Sequence, residues 1–119
     1  MKLLDNLKVA VALASLTLLA SPSFAADGEI TITSPANGAV LQGNAENKLD
    51  FNVKLSPAGN HLHIYVDDQN PIIDRDIGRC PCSITLPKLA PGKHVIAIKE
   101  ATASHALTGV EGTVTITSK

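Results

Sequence analysis

Tryptophan is absent from this chain, methionine occurs only as Met1, and the aromatic side chains reduce to Phe24, Phe51 and Tyr65. So few rings leave no stacking platform for bases or sugars. Any core must be built mostly from valine, isoleucine and leucine. A basic excess is also lacking, since ten Lys and Arg stand against eleven Asp and Glu. That balance excludes the electrostatic footprint of a nucleic-acid binder. There is no nucleophile elbow, no glycine-rich phosphate loop, no internal repeat and no low-complexity tract. Cysteine is confined to Cys80 and Cys82, and histidine to His61, His63, His94 and His105.

The first 25 residues read as a cleaved signal peptide. Lys2 and Lys8 give a positive start, Val9 to Ala20 is an unbroken run of apolar and small residues, and Ser23-Phe24-Ala25 places small residues where a signal peptidase reads them. A membrane anchor would need about 20 apolar residues, and Pro22 interrupts this run well before that. No cysteine stands at the cleavage point to take a lipid. The expectation is a periplasmic or secreted protein in an oxidising compartment, without a membrane anchor after cleavage. Residues 26–119 remain, enough for one small domain. Without Lys2, Lys8 and Asp5 that domain carries eight basic and ten acidic side chains.

Along the mature chain no apolar residues recur at helical spacing, whereas alternation is frequent. Glu29 to Thr33 places Ile30 and Ile32 inward, and Ser34-Pro35-Ala36-Asn37-Gly38 then turns the chain. Ala39 to Leu41 is a short edge piece. Leu49, Phe51, Val53 and Leu55 alternate with polar residues, and Pro57 to Asn60 ends that strand. His61-Leu62-His63-Ile64-Tyr65-Val66 follows. Ile72 and Ile73 suggest a short edge strand inside a poorly patterned stretch that runs to Arg79. Ser83 to Leu86, the strand carrying His94, Ile96 and Ile98, and Gly112 to Thr117 complete the set. Seven short strands at regular spacing in about 95 residues predict an all-β, immunoglobulin-like sandwich.

Certain segments resemble known families. Ser34-Pro35-Ala36-Asn37-Gly38-Ala39-Val40-Leu41, Leu49-Asp50-Phe51-Asn52-Val53 and Leu89-Ala90-Pro91-Gly92-Lys93-His94 are similar to secreted bacterial immunoglobulin-like and fibronectin-like sandwiches. The two ends of the mature chain also resemble the periplasmic copper-resistance protein C family. That resemblance implies a loop histidine at His105, ahead of Gly109 and Val114-Thr115-Ile116. It does not extend to the rest of that family's copper ligands. The mature start is Ala26-Asp27, Ala103 stands where the loop aspartate would be, and no methionine is present after Met1.

Topology makes an independent suggestion. On a strand, alternation sends Leu62, Ile64 and Val66 to one face and His61 and His63 to the other. In a seven-stranded sandwich the loops after the second, fourth and sixth strands share one end. His61 and His63 open the third strand, Cys80 and Cys82 precede the fifth, and His105 follows the sixth. These five residues form a candidate site for copper first and zinc second, because imidazole and thiolate together suit Cu(I) or Zn. The alternative is that the histidines are polar residues on a wet sheet face. His94 stands at the opposite end and reads as a corner residue bonded to backbone.

Cys80-Pro81-Cys82 admits three readings: a disulfide closing a tight ring, a pair of soft metal ligands, or an exchange site that lacks a thioredoxin-like setting. Asp67, Asp68, Asp74 and Asp76 lack calcium-loop spacing and read as solvated turn residues. A domain this small has little room for a deep substrate pocket, so an enzyme is not expected. The function expected is that of a small exported binding domain whose partner is a transition-metal ion. The alternative is a metal-free accessory domain that meets another periplasmic protein.

Overall fold

The computed structural model describes residues 27–119, so the expected leader at 1–25 lies outside the described residues. Eight strands form two layers. Strands β1 (Glu29–Ser34), β3 (Lys48–Lys54) and β6 (Cys82–Thr85) make a three-stranded sheet in the order β1-β3-β6. Strands β2 (Val40–Leu41), β4 (His61–Val66), β5 (Ile72–Asp74), β7 (Gly92–Ala101) and β8 (Leu107–Ser118) make the other, in the order β2-β8-β7-β4-β5. Every pairing is antiparallel except that of β2 with β8. A single 3-10 turn, Ile77–Arg79, joins β5 to β6. Among the described residues no helix is long and apolar enough to cross a membrane.

The expected all-β sandwich is therefore present, with eight strands instead of seven. Both short edge pieces pair: β2 follows the end of β8, and β5 borders β4. The last strand also begins earlier than its alternation implies, at Leu107, because β7 and β8 form one long hairpin with Ala101 opposite Leu107.

The core lies between the layers and follows the alternation. Leu49 and Phe51 of β3, Leu62 and Ile64 of β4, Ile96 and Ile98 of β7 and Ile116 of β8 are all essentially inaccessible to solvent. With one ring in the whole core, Phe51 provides its largest single apolar surface. We expect Phe51→Ala to cost about 3–5 kcal/mol in urea unfolding, as for other buried rings.

At the end of the sandwich away from His61, the ring of His94 bridges two loops. Its Nε2 is 2.6 Å from the Ala90 carbonyl oxygen and its Nδ1 is 2.6 Å from Asp67 Oδ2, while Asp67 Oδ1 accepts from the Val95 amide. The hydrogen bonds to Asp67 and Ala90 raise the His94 pKa above 6.5, and the hydrogen bonds from His94 and Val95 lower that of Asp67 below 3.8. A raised histidine stabilises below its unfolded value and loses that effect as pH rises through its folded one; a lowered aspartate does the reverse. The pair is thus strongest between roughly pH 4 and 6.5. Asp67→Asn should lower the melting temperature more at pH 5.5 than at pH 9, by an amount equivalent to no more than about 1 kcal/mol, because both groups are partly exposed.

Candidate metal centre

His61, His63 and Tyr65 project from the outer face of β4, opposite Ala101, Lys99 and Ala97 of β7. A side chain on such a face is ordinarily wet, yet His61 has 0% exposure and His63 only 7%. The loop between β7 and β8 contributes the third histidine. There the Thr102 amide donates to the Ala106 carbonyl and the His105 amide to the Thr102 carbonyl. The Thr102 hydroxyl also accepts from the Ala106 amide. This tight loop holds His105 at φ 71°, a left-handed conformation that histidine adopts more readily than most residues. Residues in such conformations cluster at functional sites.

The outcome is a triangle of ring nitrogens. His61 Nε2 is 3.1 Å from His63 Nε2 and 3.2 Å from His105 Nδ1, and His63 Nε2 is 3.3 Å from His105 Nδ1. Two N–H groups cannot point at one another across such distances, so the centre has room for one shared proton or one cation. Four ligands arranged tetrahedrally about 2.0–2.1 Å from a zinc-sized ion stand roughly 3.3–3.4 Å apart. The three edges here are within about 0.2 Å of that spacing.

Residues around the triangle set its protonation. Asn60 Oδ1 is 2.8 Å from His61 Nδ1 and also accepts from Arg75 Nη1 at 3.3 Å. An oxygen accepting from both fixes the proton of His61 on Nδ1 and leaves Nε2 as a lone pair facing the centre. The Tyr65 hydroxyl is 3.3 Å from His63 Nδ1, where it can hold the same tautomer. Partners of this kind commonly orient metal-ligating histidines. Burial first, then the charge of Arg75 and the neighbouring rings, keep His61 below the ordinary histidine value of 6.5. Burial, then His105 and Arg75, do the same for His63.

Below this end of the sheet lies Glu100, a fully buried carboxylate on the core-facing side of β7. It accepts from the Ser56 amide at 2.8 Å, the Ser56 hydroxyl at 2.5 Å and the Thr108 hydroxyl at 2.6 Å. Burial pushes its pKa up, but these hydrogen bonds outweigh it and leave the group below the ordinary carboxylate range. Gly59 passes so close that a Cβ there would meet Glu100 Oε2 at 2.3 Å. The loop leading into His61 is thereby tied to β7 and β8, the strands that carry His105.

Of the five residues expected from sequence, His61, His63 and His105 come together, and among the described residues they form the one group able to share an ion. Cys80 and Cys82 do not join them. They are disulfide-bonded to each other, and Cys82 lies opposite Phe51 in the other sheet with its side chain in the core. Sheets stacked face to face stand about 10 Å apart, so a core-facing sulfur in one does not reach the outer face of the other. With one residue between its ends, the bridge constrains little of the unfolded chain. Sequence reasoning overlooked Asn60, Arg75 and Tyr65. Tyr65 was accessible from alternation alone, since it shares the face of His61 and His63. Asn60 read as a turn residue, and Arg75 lay in the stretch without pattern.

No family model matches the chain, and neither does any curated protein. Among solved structures, the fibronectin(III)-like modules of Clostridium thermocellum CbhA are similar, with a TM-score of 0.60 and 22% identity over 76% of this chain and 96% of that one. At that identity the likeness establishes the fold: a fibronectin-like β-sandwich. These comparisons do not show the likeness to the copper-resistance protein C family.

In metal-free protein, NMR titration should place the midpoints of His61 and His63 below 6.5 and that of His94 above it. Midpoints of 6.5 or higher for His61 and His63 would contradict the packing described.

Proposed function

We propose that this chain is a small exported binding domain that holds one transition-metal ion, copper first and zinc second, between His61, His63 and His105. The observation that carries this reading is the triangle of ring nitrogens 3.1–3.3 Å on a side. Imidazole is a ligand for both metals, and three-histidine sets are known for zinc. The hydrogen bond to Asn60 supports it by turning the His61 lone pair inward. Copper ranks first because three neutral nitrogens at this spacing also suit the low coordination number of Cu(I), with no anionic side chain required.

The reading is non-catalytic, for among the described residues the triangle consists of histidines alone, with no nucleophilic side chain in the group. Export rests on the leader-like segment at 1–25, and the Cys80–Cys82 bond accords with an oxidising compartment.

Calorimetric titration of the purified protein with Cu(I), Cu(II) and Zn(II) tests the proposal. We expect one ion per chain, bound more tightly than about micromolar, which corresponds to roughly 8 kcal/mol. His61→Ala/His63→Ala should weaken binding at least about a hundredfold, and Asn60→Ala about tenfold by loosening the His61 ring. Binding by the double variant as tight as that of the parent would refute the proposal. Affinity should also decline on acidification, at lower pH than for ordinary histidines, because ligand and proton compete for the same lone pairs and those of His61 and His63 have lowered pKa values.

A further inference from the structure

The triangle supplies three donors, and most first-row divalent ions take four or more. Among the described residues no fourth histidine, cysteine, aspartate or glutamate joins the group. The carboxylates nearest in the fold are engaged elsewhere. Glu100 faces the core and is held by Ser56 and Thr108, Glu111 pairs with Lys99 at 3.7 Å, and Asp74 Oδ1 accepts from the Asp76 amide. An ion about 2.0 Å from all three nitrogens would sit roughly 0.8 Å out of their plane, with its next position directed away from the rings. His105 is exposed, so solvent can approach the group on its side.

The charge balance indicates what that position favours. All three donors are neutral imidazoles, so a bound divalent ion keeps its full positive charge. The exposed Arg75 guanidinium, one hydrogen bond beyond Asn60, adds to it. Water satisfies the coordination number but leaves this excess charge in place, whereas an anion reduces it.

We propose that a divalent ion held by His61, His63 and His105 keeps one coordination position open and takes a small exogenous anion there, with Arg75 supplying part of the attraction. This inference rests on the metal-binding reading, and the test separates the two. The whole protein is loaded with Co(II), whose visible spectrum reports its ligands, and titrated with azide at fixed ionic strength. A saturable spectral change at one azide per cobalt is expected. Arg75→Ala should weaken azide binding to the cobalt-loaded protein about three- to tenfold, Arg75→Glu should weaken it further, and Arg75→Lys should retain most of it. Because the azide constant is measured on loaded protein, any change in cobalt affinity is read separately.

If cobalt binds in a manner that depends on the three histidines but azide leaves its spectrum unchanged, the open position is refuted while the metal site stands. If azide binds equally well to the parent and to Arg75→Glu, the role of Arg75 is refuted. If cobalt does not bind, or binds equally to His61→Ala/His63→Ala, this inference fails, while the metal-binding reading is decided by the copper and zinc titrations.

Discussion

Strand β4 lies between β7 and β5 and is buried on both faces, and the rest of the candidate site follows from that. Leu62, Ile64 and Val66 enter the core, so the register of the strand is set by apolar burial. A slip of one residue would drive His61 and His63 into the hydrocarbon interior and expose three aliphatic side chains. The same burial that stabilises the sandwich therefore fixes two imidazoles on the outer face, with their spacing determined by the strand repeat. What differs from an ordinary outer face is the cover. The β7–β8 loop folds over the start of β4, so two polar rings are removed from water and brought against a third.

That cover needs support, because three clustered nitrogens cannot all be satisfied by water. Asn60 and Tyr65 bond the ring atoms that face away from the centre. Glu100 accepts hydrogen bonds from Ser56 in the loop before β4 and from Thr108 at the start of β8, so one carboxylate ties together the segments that flank His61 and His105. Gly59 is required where the chain passes the Glu100 carboxylate. These contacts preorganise the triangle without an ion, which reduces the ordering needed on binding. The other end of the sandwich is secured separately by His94 and Asp67, so the four histidines divide into two roles.

The fold was legible because alternation is a local property. Ile30, Phe51, Ile64 and Ile96 could each be placed inward from their immediate neighbours, and each is buried. Turn residues such as Pro35, Gly38 and Gly92 marked where strands end. The edge pieces β2 and β5 were harder to read, since two or three residues are too few for a period and their pairing depends on which neighbour lies alongside. The candidate site was legible in part for the same reason. His61 and His63 share a face by local geometry, and topology placed His105 at their end of the sandwich. Topology placed Cys80 and Cys82 at that end as well, but being at one end is a weaker condition than sharing one face of one sheet.

The sequence by itself determined the two-sheet class, the burial side of each main strand and the pairing of His61 with His63, because side-chain direction on a strand repeats every two residues. Only the tertiary structure decided that His105 reaches that pair while the cysteines do not, and that Asn60 and Arg75 stand behind it. Those outcomes depend on which strands share a sheet and how one loop folds over another, and contacts such as His61 with His105, 44 positions apart, or Asn60 with Arg75, 15 apart, leave no periodic trace in the chain. Two histidines on one strand face thus become a three-nitrogen centre when the β7–β8 loop brings in His105.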